Sequence, residues 1–328
     1  MERTGMIGDI LSRLLSVPQI TDLCINGREG IFLDRGEGMT ILPDTPDPPL
    51  SEENLRSWVL DQLSLVGKTW DAKHPFVDAT LPTGHRLHAV FPPLAQQGIL
   101  VSLRRLGRPM MEGQKGNRWN ATPYYPLLSE AFRRGNSILI SGATGSGKTT
   151  LASDLLGEVS SHERIIALED TQELAPNHSH FLSLVSRPPN PDGFGEVSLR
   201  TLLKQTLRMR PDRIVLGECR GAEVLELLQA LNTGHHGGMA TLHANSPREA
   251  LRRIELLCLL ASSGSVPIHC IRELLTLGIQ WIVQVKREKG IRKIAELWKI
   301  EGREGDTILM RQVLDYEVSN WNFGLPNE

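Results

Sequence analysis

The last two thirds of the chain alternate between short apolar runs and amphipathic segments. Short apolar runs are typical of strands buried on both faces, and they alternate here with helical patterns. This alternation predicts a mostly parallel sheet flanked by helices, the α/β class. One helix start is marked clearly, because Ser246 can cap it, Pro247 suits its first turn and Glu249 completes a capping box. The predicted strands are 137–140, 164–168, 213–216 and 239–242, and the predicted helices are 148–156, 198–209, 222–231 and 247–261.

The first 105 residues follow a different pattern, with strands and a helix in separate blocks. Segments 20–33 and 76–103 hold short apolar stretches broken by turns, among them Pro82-Thr83-Gly84. Between them, Ser51 precedes two glutamates and a helical series of apolar residues, which predicts a capped amphipathic helix. Segment 106–123 is rich in Gly, Pro, Asn and charged residues, as linkers are. We therefore predict an α+β domain over 1–108, a linker over 109–122 and an α/β domain over 123–328.

Composition and charge exclude several classes of protein. Of the 328 residues, 40% are hydrophobic and 23% are charged, which is ordinary for a globular protein. The net charge of -2 provides no overall field toward nucleic acid or anionic lipid. The 4 cysteines are far apart, so neither a disulfide scaffold nor a zinc ribbon is expected and a reducing compartment fits best. The first 20 residues lack a signal-peptide layout and no apolar run spans a bilayer, so any work at a membrane requires a partner.

A phosphate-binding loop stands between the first predicted strand and helix of the second domain. The stretch 142–149 matches the pattern G-x-x-x-x-G-K-[ST] in full, and its strand–loop–helix context is the one that the motif requires. Backbone amides and the helix start would hold the phosphates, Lys148 would reach the β- and γ-phosphates, and Thr149 would bind Mg²⁺. The pattern predicts a nucleoside triphosphatase that uses ATP and Mg²⁺. The predicted nucleotide-binding residues are Gly142, Ala143, Thr144, Gly145, Ser146, Gly147, Lys148, Thr149 and Thr150.

Hydrolysis also needs carboxylates near the metal and the attacking water, and the sequence offers two places for them. Strand 213–216 runs into Gly217-Glu218, so only one of the usual two acids follows it. Strand 164–168 runs into Glu169-Asp170, and acids beyond such strand ends lie where ligands bind in parallel sheets. We predict that Glu218 activates water and that Glu169, with Asp170, serves the metal. Glu218 is also a candidate metal ligand, and the reverse assignment, in which Glu169 activates water, stays open. The alternative is that Asp170 caps a helix and the acids are solvated surface residues.

Histidines and glycines cluster in segment 233–245. A zinc site is not favoured, because no cysteine or carboxylate stands at ligand spacing. We predict instead that His243, at the end of its strand, hydrogen-bonds the terminal phosphate. For His236, a position on the surface in a loop is as good an explanation as any functional role.

Four motifs together resemble the type II/type IV secretion ATPases. GATGSGKT resembles their Walker A loop, and ALEDTQEL (167–174) their aspartate box. RIVLGECRGAE (213–223) resembles their atypical Walker B motif, and NTGHHGGMATLHANSPREAL (232–251) their histidine box. The segments HANSPREAL and PFVDATLPTGHRLHAVFPP (75–93) resemble the sequences of the tight-adherence (Tad) pilus branch in particular. The family's additional N-terminal region and tetra-cysteine zinc module have no counterpart here, which argues against a general-secretion role.

The resemblance implies a RecA-like core and a motor for pilus assembly or protein secretion. It implies a hexameric ring that works on an inner-membrane platform protein, at the cytoplasmic face of that membrane. The rivals within the family are a pilus retraction motor and a conjugation-type ATPase. A ring subunit without turnover is disfavoured by the intact Lys148, Thr149, Glu169 and Glu218, and a nucleic-acid motor by the absence of any recognisable nucleic-acid module.

Arginines from outside the phosphate loop are expected to complete the site. The loop supplies Lys148 as its cation, and phosphoryl transfer commonly gains from an arginine. In the family that the chain resembles, arginines of the N-terminal domain lie close to the bound nucleotide. Arg86 follows a turn and Arg104 ends a strand, so they are the first candidates. The alternative for each is a solvated residue or a local ion pair. Further candidates near the Walker B-like strand are Arg200, Arg208 and Arg210.

Overall fold

The chain divides into two compact units, Met1–Met111 and Glu112–Glu328. The computed structural model describes residues 2–17, 19–27, 29–35, 38–42, 51–105, 119, 122–190, 193–288 and 290–318. Most of the predicted linker, 109–122, lies outside the described residues. Two of its residues are described and bond within the second unit. Trp119 Nε1 donates to Asp154 Oδ2 at 2.8 Å, and the Thr122 hydroxyl donates to the Ile294 carbonyl at 3.1 Å.

In its described residues, the first unit is an antiparallel sheet with two helices. Its sheet has the order β3-β2-β1-β6-β5-β4, and the neighbouring strands pair antiparallel. The α+β architecture predicted for this part is thereby confirmed. Its elements are α1 (Glu2–Ser16), β1 (Asp22–Asn26), β2 (Ile31–Asp34), β3 (Met39–Ile41), α2 (Glu52–Leu65), β4 (Phe76–Thr80), β5 (His85–Val90) and β6 (Leu100–Arg105).

Alternation along the strands places one face of this sheet in the core. In β5, Leu87 and Ala89 are buried while Arg86 and His88 are half-buried on the other face. Helix α2 begins as predicted, since the Ser51 hydroxyl accepts a hydrogen bond from the Asn54 amide at 3.2 Å. Helix α1 was not predicted. Its sequence holds glycines, which lower helix propensity, so the burial of residues such as Leu11 must contribute to its stability.

The described part of the second unit is an eight-stranded sheet with helices. Its sheet has the order β14-β13-β12-β7-β11-β10-β8-β9; from β12 to β9 the neighbours are parallel, and β12, β13 and β14 pair antiparallel. Its elements are α3 (Tyr124–Arg133), β7 (Ile138–Ser141), α4 (Lys148–Leu156), β8 (Ile165–Glu169), β9 (Phe181–Val185), α5 (Leu199–Thr206), β10 (Arg213–Leu216), α6 (Glu223–Asn232), β11 (Met239–Leu242), α7 (Pro247–Ala261), α8 (Ile268–Gly278), β12 (Trp281–Glu288), β13 (Ile291–Glu304), β14 (Thr307–Val313) and α9 (Asp315–Val318).

Both faces of this sheet are buried, which explains the uninterrupted apolar runs of its central strands. Along β7, Leu139 packs into one hydrophobic cluster, which also contains residues of α5 to α8, whereas Ile138 and Ile140 pack into a second cluster with α3 and α4. The four predicted strands and four predicted helices are all present, with ends shifted by at most about three residues. The α/β class predicted for this part is confirmed. Among the described residues, no helix is long and apolar enough to span a membrane.

The start of α7 differs slightly from the predicted capping box. The Ser246 hydroxyl accepts from the Glu249 amide at 3.2 Å, as expected. The Glu249 carboxylate, however, accepts from the amide of Asn245 at 2.8 Å, one residue before the cap. The reciprocal bond therefore fixes the chain that leaves β11 immediately after His243.

Candidate active site

The loop between β7 and α4 has the geometry of a phosphate cradle. Gly145 and Gly147 have φ of 73° and 107°, which residues with a side chain rarely adopt. Gly147 caps α4 without a side-chain hydrogen bond, so the first amides of the helix are not taken up by a capping side chain. The Ser146 hydroxyl is buried without a hydrogen-bond partner in the described part of the chain. Amides at a helix start and an unpaired buried hydroxyl fit the oxygens of a polyphosphate.

Lys148 is buried inside this loop. Its ammonium donates to the carbonyls of Gly142 at 3.0 Å and Ala143 at 2.9 Å, and it lies 3.2 Å from Nδ1 of His243. These contacts hold the charge within the loop, beside the place where the motif puts the β- and γ-phosphates. A bound polyphosphate would compete with these carbonyls for the same ammonium. The bonds therefore mark the place from which Lys148 would move to the phosphates.

Three neighbouring strands bring Lys148, His243 and Glu218 into one chain of contacts. The loop follows β7, His243 follows β11 directly, and Glu218 stands two residues beyond β10. His243 Nε2 lies 3.1 Å from a Glu218 carboxylate oxygen. Because Nδ1 faces an ammonium, it acts as an acceptor, and Nε2 carries the proton that is donated to Glu218. The imidazole thus connects the loop lysine to the carboxylate after β10.

The electrostatics agree with a neutral histidine beside an ionised glutamate. Burial, together with the nearby charge of Lys148, lowers the pKa of His243. Burial acts to raise the pKa of Glu218, but the hydrogen bond and charge of Arg220 outweigh it with help from His243 and Lys148, so the pKa is lowered. Arg220 Nη2 donates to Glu218 at 2.7 Å. Glu218 is therefore a carboxylate held in place from two sides.

Glu169 occupies the space that the acid missing at position 217 would need. A Cβ added at Gly217 would lie 2.8 Å from Glu169 Cγ and 3.3 Å from the Leu168 carbonyl. The Glu169 carboxylate accepts bonds at 2.8 Å from the amides of Glu173 and Leu174 and from the Ser183 hydroxyl. Burial raises its pKa. In this structure Glu169 organises the loop after β8, and its predicted role as a metal ligand stays a prediction.

That loop brings Glu173 to the start of α4. Its carboxylate lies 3.4 Å from the hydroxyl of Thr149, the predicted metal ligand. Asp170 points elsewhere, because it accepts from the Ser186 hydroxyl at 2.8 Å and lies 3.6 Å from Arg220 Nη1. Among the described residues no cluster of three metal-ligating side chains is preformed. Mg²⁺ commonly takes one or two carboxylates together with substrate phosphates and water, so Thr149 and Glu173 fit such a site.

The sequence-predicted residues thus divide into two groups. The loop residues, Glu218 and His243 are in contact or adjacent, while Arg86 and Arg104 lie in the first unit. There they are cross-strand partners on β5 and β6. Arg86 lies 3.6 Å from Asp78, and Arg104 lies 3.8 Å from Asp22, as partly exposed ion pairs. Their predicted part in the nucleotide site stays a prediction.

Sequence reasoning gave no role to two polar residues of the site. Arg220 follows Glu218 by two residues within the motif already noted, so its position was a usable signal. Glu173 was visible as an acid beyond β8, but only the turn held by Glu169 shows that it reaches Thr149.

The fold and the loop define a P-loop ATPase of the α/β class. The family model described as "Type II/IV secretion system protein" matches residues 10–289, and the chain belongs to this family. The resemblance stated from the motifs is thus confirmed at family level, and the chain is an ATPase. The tight-adherence branch stays a prediction.

Two relatives and one solved structure illustrate the likeness. A Mycobacterium tuberculosis protein named for conjugal transfer is 40% identical over 317 residues, which cover 93% of this chain and 87% of the relative. The type IV secretion system protein PtlH of Bordetella pertussis is 34% identical over 319 residues, covering 88% and 92%. The fold is similar to that of the pilus retraction motor PilT with bound ADP, with a TM-score of 0.60 and 20% identity over 95% of this chain and 82% of that one.

Proposed function

We propose that this ATPase hydrolyses ATP to drive a type IV secretion or conjugation apparatus. The observation that carries the hydrolytic part is the contact chain Lys148–His243–Glu218 at the ends of three adjacent strands. The transport part is supported by family membership and by relatives named for conjugal transfer and type IV secretion.

The contacts suggest how these residues act on ATP. Lys148 moves from the loop carbonyls to the β- and γ-phosphates and stabilises the charge that develops on the transferred group. His243 then loses the ammonium beside Nδ1 and can take up a proton there from solvent; the imidazolium Nδ1–H is placed to donate to the terminal phosphate, while Nε2–H keeps its bond to Glu218. Glu218 orients the attacking water and accepts its proton, since its carboxylate is ionised.

Mg²⁺ is the implied metal, and the site offers it a hydroxyl and a nearby carboxylate. Thr149 would hold it together with a carboxylate, for which Glu169 is the sequence-based candidate and Glu173 the one favoured by the 3.4 Å contact. When bound, the ion neutralises phosphate charge. The tight turn after β8 keeps Glu173 in place through the bonds that Glu169 accepts.

Lys148→Ala is the direct test of the hydrolytic part. We expect the variant to keep its fold, measured by circular dichroism and thermal melting, and to lose ATP turnover. In cells that lack the native gene, wild-type protein should restore secretion, conjugal transfer or pilus formation, and the variant should restore none of them. Full turnover in the variant would contradict the proposal, and which of the three processes is restored identifies the apparatus.

We further propose that the working unit is a ring, most simply a hexamer, in which Arg86 and Arg104 complete the nucleotide site. Their support is the family resemblance and their side-by-side place on the first unit's sheet. Arg86→Ala with Arg104→Ala should lower kcat more than nucleotide affinity, as for a contact made in the transition state. Arg56→Ala, on helix α2 of that unit, is the control. Normal turnover in the double variant, or a monomer with full activity in a mass measurement with ATP analogue and Mg²⁺, would refute this.

The finer assignments follow from the resemblance. The segments HANSPREAL and 75–93 support the tight-adherence branch, whereas the named relatives favour a conjugation-type machine. Either role places the chain at the cytoplasmic face of the inner membrane, bound to a platform protein. Proteins that co-purify with it from the inner membrane distinguish the two, and recovery of only nucleic-acid partners would contradict both.

A further inference from the structure

An arginine from β13 lies against the start of helix α4. Arg292 Nη1 donates to the Thr150 hydroxyl at 2.9 Å. Its aliphatic part covers Gly147, where an added Cβ would lie only 2.7 Å from Arg292 Cδ. The two residues that it contacts are the cap and the third residue of α4. The guanidinium is therefore fixed beside amides that face the phosphates in a loop of this kind.

The two threonines of α4 face opposite sides of the site. The Thr149 hydroxyl is near Glu173, which follows β8, whereas the Thr150 hydroxyl is bonded to β13. In the sheet, β8, β10 and β11 lie on one side of β7, and β12 and β13 lie on the other. Lys148 contacts His243, on the first side. The terminal phosphate therefore belongs to the side of β11 and β10, and the nucleoside end of the substrate points toward β12 and β13.

We propose that Arg292 is a nucleotide-binding residue that contacts the α-phosphate of ATP and ADP. This inference rests on the proposed nucleotide site. Arg292 stands at the end of the site where the α-phosphate must lie, and its planar guanidinium suits phosphate oxygens. The bond to Thr150 sets the direction of the guanidinium before the substrate binds.

The α-phosphate keeps its charge while the γ-phosphoryl group is transferred. A contact to it is equally strong in the ground state and the transition state, so it lowers KM without raising kcat. Arg292→Ala should therefore raise KM for ATP and leave kcat within about twofold. Loss of a charge-assisted hydrogen bond weakens binding by about tenfold or more, and Kd for ADP should rise by that factor.

Phosphorothioate nucleotides make the test specific to the α-phosphate. We would measure Kd for ADP and for the two diastereomers of ATP that carry sulfur in place of one α-oxygen. Wild type should prefer one diastereomer, and Arg292→Ala should lose that preference. Arg292→Gln, which keeps the stem over Gly147, should behave in the same way if the alanine variant folds poorly. Lys293→Ala is the matched control, since Lys293 pairs with Glu288 at 2.7 Å on the same hairpin.

Four results would overturn the inference, and the first three concern binding. They are ADP affinity within about twofold of wild type in both Arg292 variants, an unchanged diastereomer preference, and an equal loss in Lys293→Ala. A fall in kcat with unchanged KM would also contradict it, because the contact would then belong to the transition state. Failure of the proposed function is separate and visible in the wild type, as an absence of ADP and ATP binding.

Discussion

Arg220 is expected to hold the carboxylate of Glu218 in place and ionised. It donates to Glu218 at 2.7 Å and is itself directed by Asp170, which accepts from the Ser186 hydroxyl. Replacing Arg220 with alanine removes the strongest of the partners that keep the pKa of Glu218 low. His243 remains as a second partner at 3.1 Å. The contact between His243 and Glu218 should therefore persist, but ATP turnover should be slower.

The size of the effect follows from distance and exposure. Two unit charges about 4 Å apart attract by about 1 kcal/mol in water and about 4 kcal/mol at an effective dielectric constant of 20. The Arg220 side chain is 52% exposed and that of Glu218 is 24% exposed, so the value lies toward the lower figure. We take about 1 to 2 kcal/mol for the contact. Because a carboxyl of ordinary pKa stays ionised at neutral pH, the loss of kcat there comes from lost positioning, and this energy limits it to roughly 5- to 30-fold.

The pH profile distinguishes this role from a structural one. Arg220 favours the ionised form, so its removal raises the pKa of Glu218, and the carboxylate is protonated at a higher pH. The acidic limb of kcat should therefore move toward neutral pH, and the deficit should grow as the pH falls. Arg220→Lys should restore part of both effects. Arg134→Ala, which breaks a 2.7 Å ion pair with Glu130 on the surface, serves as the control. An unmoved acidic limb with kcat within twofold of wild type would refute the argument.

Three further predictions follow from the same contacts. Glu218→Gln should bind ATP normally but turn over at least ~100-fold more slowly, measured by single-turnover kinetics, as for loss of a positioned base. Glu173→Gln should raise the Mg²⁺ concentration for half-maximal turnover. Glu169→Gln should change it little, because the side-chain carbonyl of glutamine can still accept from the amides of the loop. The reverse result would give Glu169 the metal role. Arg213→Met should lower the free energy of unfolding by about 3 kcal/mol in urea titrations, since this buried arginine bonds to Glu163 at 2.6 Å and to the Phe132 carbonyl; a loss below about 1 kcal/mol would contradict this.

The central strands and the phosphate loop could be predicted because their signals are local. Strands buried on both faces are continuous apolar runs, and the loop is a contiguous motif between a strand and a helix. Glu218 and His243 were found for the same reason, since parallel strands end at one edge of the sheet. Their direct contact, at 3.1 Å, depends additionally on β10 and β11 being neighbours, which the chain order alone does not determine.

Strand β13, which pairs antiparallel with β12 and β14, was missed because its burial pattern is not that of a regular strand. In β13, Ile294, Leu297 and Ile300 are buried at a spacing of three, which is closer to a helical period than to the strand period of two. The spacing has two causes. A register shift, in which Gln284 pairs with Glu296 and Val285 with Ile294, puts Ile294 in the same cluster as Leu297, whereas Ile300 packs into the cluster on the opposite face of the sheet. An extra residue in one strand is a β-bulge, and it reverses the faces of all residues beyond it.

The same bulge decides where Arg292 lies. Leu297 belongs to the hydrophobic cluster that contains α4, and in a regular strand Arg292, five residues away, would face the opposite side. Because Ala295 is the extra residue, Ile294 faces the same cluster as Leu297. Arg292 lies two residues before Ile294 and therefore faces the same side, which is that of α4. The bond between Arg292 and Thr150 thus joins residues 142 positions apart through a one-residue irregularity. A sequence pattern that assumes a regular strand places this arginine on the face away from α4, and so misses its contact with the start of that helix.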